Sequence, residues 1–369
     1  MNNEVVIVDA MRSPLTQRPM YGRAHRELRT EELLDVTVSG LLQRAKINED
    51  EVTTIVTVGD RAAALLQAES WSKAFQRIEL HDAISATAAI QFANHVIKSD
   101  PRKVVLVAGA ASGDSCFDVP NAKVNLSAHP AVRWGITRQN ESDFASASHQ
   151  RARECALSGD FRRELVPLEL HVDLEVTEFV ASDELRQGTE TPGALRWAPQ
   201  STRKLSSQTE SLTCQLPHHY ANAAKGAGAL VITSASRADE LGIHPRGRLI
   251  GVENLFDSAL DNASASELDL VRSCLREHGV SLDCIDQYEV PEVTARAPLI
   301  WLTEFGINTY LLNPRGGALA FGHLSELEGI RALATMLSAL EDTGGTYGLV
   351  ATSSVDGSGV VLVECSHNP

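Results

Sequence analysis

Nothing in this sequence marks a membrane or a secretory route. No apolar run approaches the roughly 20 residues that cross a bilayer. The N-terminus, Met1 to Asp9, enters a strand pattern with neither a positive region nor a cleavage site, so the expectation is a cytoplasmic protein. A Gly-rich phosphate loop followed by Lys-Ser/Thr is also missing, and Gly316-Gly317 is therefore not read as nucleotide binding. The six cysteines (Cys116, Cys155, Cys214, Cys274, Cys284 and Cys365) contain no CxxC pair and no metal-ligand spacing; they read as reduced thiols, with no metal expected. Positive charge is short as well. Lys and Arg number 33 against 48 Asp and Glu, a net charge of −15, which argues against nucleic acid and anionic membrane faces as partners. An anionic small ligand stays open, because local arginines decide that.

What is present is enough to bury a large core. At 369 residues the chain exceeds the roughly 100–200 residues of one domain, so two packed lobes are expected. Apolar residues at 43% and charged residues at 22% give an ordinary globular balance. Val5-Val6-Ile7-Val8 reads as a strand buried on both faces. Glu31 to Ala45 has apolar residues at helical spacing, Val52 to Val58 is strand-like, Ala83 to Ile97 suits a tightly packed helix, and Val104 to Val107 reads as a strand ending at Ala108-Gly109. This order predicts an α/β lobe. The C-terminal third repeats it, with strands at Leu249–Val252, Asp286–Val290, Tyr347–Thr352 and Gly359–Glu364. Helices are predicted there at Glu267–His278 and Ser325–Leu340, the second amphipathic with Leu327, Ile330, Leu333, Ala334 and Leu337 on one face. The predicted organisation is an N-terminal lobe (1–119), a loop domain with a return helix and strand (120–245), and a C-terminal lobe (246–369). Within the loop domain Glu141–Ser158 is a helix, Leu168–Leu216 is polar and irregular, and Ala223–Thr233 is a small-residue helix running into a strand.

Several segments then carry a resemblance. VVIVDAMRSP (Val5 to Pro14) resembles the VVIVDAxRTP opening of thiolases, particularly the bacterial fatty-acid-oxidation type. Ala145 to Leu168, and KGAGALVITSASRADELGIHPRGRL (Lys225 to Leu249), are similar to passages of the same family. NPRGGALAFGHL (Asn313 to Leu324) resembles NxNGGAIALGHP, and GLVATSSVDGSGVVLVE (Gly348 to Glu364) resembles GLATxCxGxGxGxAxxxE. They fall in the family's order and span nearly the whole chain. The resemblance implies an α/β fold of five layers, α/β/α/β/α, built from two duplicated lobes with an inserted loop domain. It implies at least a dimer, and a coenzyme A thioester as ligand in place of any bound cofactor.

It also implies a chemistry. In the family a cysteine thiolate takes the acyl group as a thioester, a GHP histidine activates that thiol, a second cysteine moves a proton, and an NEAF asparagine holds an oxyanion-hole water. Here the nucleophile position falls on Ala83 when the loop is anchored on Ser85, or on Ile84 when it is anchored on Val104–Val107; neither is a nucleophile. The asparagine falls on Pro291, which has no amide to offer. The second cysteine falls on Ser353, a far weaker acid than a thiol that titrates near 8.5. His323 remains after Gly322, as an acid/base or simply because the loop still suits it. The serine near the pantetheine arm maps to about Ala221, and Ser85 stands beside the old centre.

Other candidates have bland readings beside them. Cys214 and Cys116 are displaced thiols or small buried hydrophobes. His218-His219 line a polar pocket or simply a loop. Asp82 caps the following helix, or joins His81 in a new polar site. Arg12, Arg23 and Arg26 meet CoA phosphates or stay as solvated surface charge. The leading expectation is a non-catalytic or regulatory subunit that binds acyl-CoA and pairs with an active thiolase-fold subunit, Asp60–Glu79 favouring the mixed pair over the homodimer. The alternatives are a cysteine-free acyl-thioester C–C lyase or condensing enzyme using His323, and an acetyl-CoA C-acyltransferase.

Overall fold

Branched apolar runs place the strands, and the strands place everything else. The computed structural model describes residues 4–17, 29–58, 79–83, 85–113, 134–173, 176–185, 221–256, 265–354 and 357–366. The strands are β1 (Val5–Arg12), β2 (Thr16–Gln17), β3 (Thr54–Val58), β4 (Glu79–Ala83), β5 (Val104–Ser112), β6 (Leu168–Asp173), β7 (Val176–Val180), β8 (Ala224–Ser234), β9 (Gly247–Leu255), β10 (Ile285–Glu289), β11 (Tyr347–Ser354) and β12 (Gly357–Cys365). The helices are α1 (Thr30–Ala45), α2 (Ala86–Ser99), α3 (Arg138–Ser158), α4 (Ala235–Leu241), α5 (Ala265–Glu277), α6 (Arg296–Phe305), α7 (Ala318–Phe321) and α8 (Glu328–Thr343).

The N-terminal half-sheet runs β4-β3-β5-β8-β1 and the C-terminal one β9-β12-β11-β10. Among the described residues their strands join where β1 pairs β9, at Val6 with Arg248 and Ile7 with Gly247. Each half is mixed: β3 lies parallel to β4 and β5, and β10 parallel to β11, while the other pairings are antiparallel. Among the described residues the N-terminal half-sheet has five strands and the C-terminal half four.

Three apolar clusters define the layers. One puts α1 residues such as Leu34 and Leu41 against the outer face of the N-terminal half-sheet. A second puts α5 and α6, through Val271 and Trp301, on the outer face of the other half. Between the half-sheets lie α2 and α8, whose Ile90, Leu333 and Leu337 touch strands of both halves. The result is α/β/α/β/α. Burying each of those leucines is worth roughly 1.5–3 kcal/mol. The two central helices approach closely at Gly329, where a Cβ would come 3.0 Å from that of Ala86.

This position corrects the amphipathic reading of the last helix. Residues Glu328 through Leu340 of α8 are buried on every side, because both faces meet a sheet. Its polar residues survive by pairing, as Arg331 with Glu328 and Thr335 with Glu164. A second correction concerns Ala223–Thr233, expected to begin as a helix. It is strand β8, paired with β5 from Lys225 to Thr233 and with β1 from Gly228 to Ser234. Its small residues serve close packing instead: a Cβ on Gly226 would lie 2.3 Å from Leu15 and one on Gly228 3.0 Å from Ile330. This part of the expected loop domain is thus woven into the N-terminal half-sheet. Leu168–Val180, expected to be irregular, contains the β6–β7 hairpin. The predicted end of β5 at Gly109 is too early, since pairing with β8 continues to Ser112 opposite Lys225. No helix among the described residues is long and apolar enough to cross a membrane.

Candidate functional site

The start of α2 carries the first group of predicted residues. Strand β4 runs in parallel register beside β3 as far as Ala83, opposite Val58, and the helix begins three residues later. Asp82 is therefore a strand residue, opposite Thr57, and does not cap the helix. Ser85 does: its extended backbone turns the chain, and its Oγ accepts from the Ala88 N–H at 3.2 Å. From Ser85 a line of hydroxyls continues, 3.3 Å to Thr87 and 3.2 Å from Thr87 to Thr352. Gly359 leaves the space for Thr87, whose Oγ1 would lie 2.1 Å from a Cβ there. Ser85, Thr87, Thr352 and Ser353 line one cleft together with Asn254 and Glu326. Ser85, from the segment read as nucleophile loop, and Ser353, read at the second cysteine, are thus brought together on one cleft.

No thiol lines it. Burial pushes Cys155 and Cys274 up to about 12, and Cys365 up to about 11, helped in each case by a nearby carboxylate, which makes all three poor nucleophiles at neutral pH. Cys284 is exposed beside Ser281. Cys116, Cys214, His218, His219, Arg23, Arg26 and the stretch 60–78 lie outside the described residues.

His323 belongs to a second, adjoining group. Gly322 holds a left-handed φ of +85°, and a Cβ there would press within 2.8 Å of Ala224 and Gln17. That turn delivers His323 to a backbone bridge, with its N–H donating to the Asn222 carbonyl at 2.7 Å and its carbonyl accepting from Ala224 at 2.9 Å. The imidazole is buried, its Nδ1 3.5 Å from the Glu328 carboxylate. Burial would raise Glu328, but the Arg331 guanidinium at 2.7 Å and the hydrogen bond from His323 overcome it and hold the carboxyl down at about 2. Arg331 also approaches Glu289 at 3.7 Å, whose burial nevertheless drives it up to about 8. The ring is thus held beside a fixed anion, which orients it.

Buried Ala221 joins this group to the Pro291 segment, its N–H donating to the Val293 carbonyl at 2.9 Å. Pro291 offers no donor, and its neighbour Glu292 organises the loop instead. The Glu292 carboxyl accepts from Ser148 and from the Asn313 side-chain amide, both at 2.7 Å, and more weakly from the Leu319 N–H. Asn313, itself at φ +44°, binds both backbone groups of Val290. Gly317 is obligatory because a Cβ would sit 2.4 Å from that carboxyl. Glu292→Ala should cost about 2–4 kcal/mol in a urea or thermal melt, since it strands buried donors worth about 1–3 kcal/mol each. Glu292→Gln should recover part of the loss.

One candidate changes role entirely. Arg12 meets neither CoA phosphate nor water: it is 1% exposed and clasped by Glu164 and Asp183. The Glu328–Arg331 pair and Glu292 escaped sequence reading. An i,i+3 Glu–Arg pair looks like a solvated helix face until the helix is known to be interior.

Comparisons with known proteins agree with this geometry. Residues 122–215 match the thiolase N-terminal domain and residues 260–364 the thiolase C-terminal domain. A 3-ketoacyl-CoA thiolase of Marinobacter nauticus is 27% identical over 98% of this chain and 97% of its own. An acetyl-CoA acetyltransferase of Yarrowia lipolytica is 29% identical over 63% of this chain and 55% of its own. Among solved structures, human mitochondrial 3-ketoacyl-CoA thiolase superposes over the whole of both chains with a TM-score of 0.78 at 20% identity. The acetyl-CoA acetyltransferase of Syntrophomonas wolfei gives 0.77 at 19%, covering 99% of this chain and 100% of its own. With the layered half-sheets, the two central helices and the Gly-His turn all in the family's order, the chain belongs to the thiolase superfamily.

Proposed function

We propose that this protein binds acyl thioesters of coenzyme A and transfers acyl groups at the bond between C2 and C3 of a 3-ketoacyl-CoA, without an acyl-cysteine at residue 83. The observation that carries it is His323, buried and oriented by Glu328 on the turn made by Gly322. Support also comes from the full-length relatives named 3-ketoacyl-CoA thiolase. In this reading Ala83 stands where those relatives' nucleophile stands, and Ser85, committed to capping α2, does not replace it. Nε2 of His323 takes the proton of the attacking CoA thiol, the thiolate adds at C3, the C2–C3 bond breaks, and the leaving enolate is protonated at C2 by the imidazolium. Pro291 and Ser353, lacking amide and thiol, contribute no water-holding or proton-shuttling group. Ala221 and Gly322 shape the walls near the pantetheine arm. A dimer in the cytoplasm completes the reading.

The experiment is initial-rate kinetics with acetoacetyl-CoA and CoA, together with intact-mass analysis of the enzyme after exposure to acyl-CoA. Direct transfer gives intersecting, sequential rate patterns and no adduct. Ping-pong patterns, or an acyl group on Cys116 or Cys214, would overturn the cysteine-free route and leave an ordinary thiolase. Absence of turnover would overturn the enzyme and restore the non-catalytic subunit, which the enzyme names of the full-length relatives do not favour.

A further inference from the structure

The outer side of the C-terminal half holds a constellation that acyl transfer does not use. Cys274 lies in the last turn of α5, and His278 follows one turn later, its N–H donating to the Cys274 carbonyl at 3.2 Å. Glu253 reaches the same point from β9. One donor atom from each of the three lies within 4.8 Å of the other two.

The backbone is arranged to permit this. The β9–β12 register slips between Leu362, opposite Gly251, and Val363, opposite Leu249, so that Ile250 is the extra residue of a bulge. Gly251 and Glu253, two apart, then face α5 together. A Cβ on Gly251 would stand 2.5 Å from His278 Nε2 and 3.3 Å from Cys274 Sγ, so only glycine admits the imidazole beside the thiol. Cys274 is fully buried, whereas His278 is exposed at the mouth. Glu253 Oε1 is buried with no hydrogen-bond partner among the described residues, and the Glu277 carboxyl stands next to the Glu253 side chain.

We propose that Cys274, His278 and Glu253 form a binding site for one zinc-class divalent transition metal. Thiolate, imidazole and carboxylate together are a borderline-soft donor set, which favours zinc or cobalt over magnesium or calcium. Tetrahedral bonds of about 2.0–2.3 Å set ligands about 3.5 Å apart. The observed cluster needs only a modest contraction, which the exposed His278 ring can supply by rotating. On binding, the Cys274 thiol releases its proton to solvent, and the fourth position goes to Glu277 or water. The metal would fasten the C-terminal end of α5 to β9 across the bulge. Reading the sequence for spacing missed the site because its third donor comes from another element.

Full-length protein stripped with a chelator and titrated with Co2+ alone tests this. Expected is a thiolate-to-cobalt absorption that saturates at one equivalent, is absent in Cys274→Ser, and needs at least about 10-fold more cobalt in His278→Ala or Glu253→Gln. Zn2+ should displace the signal and raise the melting temperature of the wild type but not of Cys274→Ser. Far-ultraviolet circular dichroism verifies that the variants are folded. A missing thiolate band, or a band that survives in folded Cys274→Ser, would overturn the assignment.

Discussion

Replacing His323 with alanine should lower the turnover of a 3-ketoacyl-CoA by at least about 100-fold, the range typical of losing a general acid–base group. The fold should be nearly indifferent to the change. What seats this turn is backbone: the hydrogen bonds to Asn222 and from Ala224, and the left-handed Gly322 before it. None of these involves the imidazole. The effect should appear in kcat rather than KM, because the ring moves a proton and no binding contact is assigned to it. Glu328→Gln separates orientation from chemistry. It keeps the shape, removes the anion beside Nδ1 and leaves Arg331 less well balanced, so a smaller loss of about 10-fold is expected. The pH behaviour has a definite sign. Glu328 is held at about 2 in the folded protein against an ordinary value of 4.5, so the stability it contributes is complete above pH 4.5 and is lost as the pH falls from there toward 2. Wild type should therefore lose acid stability in that window, and Glu328→Gln should lose less of it there. An alanine variant at position 323 with wild-type kcat would remove the histidine from the reaction.

The architecture was more legible than the site, for a physical reason. Buried strands such as Val104–Val107 and Val360–Val363 announce themselves as unbroken apolar runs because both of their faces meet helices. Strand β8 did not, since Ala-Lys-Gly-Ala-Gly-Ala carries no branched residues where Leu15 and Ile330 press against it. There, local composition reflects what lies on top of the strand and not the strand itself. Helix α8 misled in the opposite way. Glu328, Arg331, Thr335 and Ser338 look like a solvent face, yet each is buried and has a partner: Arg331 and Glu328 pair with each other, Ser338 donates to the Ala334 carbonyl, and Thr335 reaches the distant Glu164. For the site, residue identity alone gave the expectation that positions 83, 291 and 353 lack the thiol and amide groups of the family. It could not give the Glu328–Arg331 support of His323, because that local pair reads as a solvated face until the helix is known to be interior, nor the Glu292–Asn313–Ser148 lock, because that depends on distances between segments far apart in the chain.

Arg12→Met should be the most destabilising single change in the framework, by about 3–5 kcal/mol, the cost of stranding a buried charge by removing its partner. Arg12 closes β1, and its guanidinium is held on every edge. It donates from Nε to Glu164 at 2.8 Å and makes a two-pronged pair with Asp183 at 2.6 and 2.8 Å, while Phe161 and Phe321 lie over it at 5.6 and 5.7 Å. Burial would pull its proton off, but Asp183 and Glu164 outweigh that and keep the group charged. The partners tie separate parts of the chain together. Glu164 follows α3 and also accepts from Thr335 of the central helix, and Asp183, just past the β6–β7 hairpin, accepts from the Leu15 N–H. Methionine fills much of the stem volume and leaves both carboxyls without a cation. Lysine should rescue little, because one ammonium cannot fork to two carboxylates. The decisive comparison is Arg12→Met combined with Glu164→Gln and Asp183→Asn, followed by chemical denaturation. If the penalty is orphaned charge, the triple variant should regain most of the stability lost in Arg12→Met. A triple variant no more stable than the single one would show that the arginine acts by packing between the two phenylalanines and not by charge.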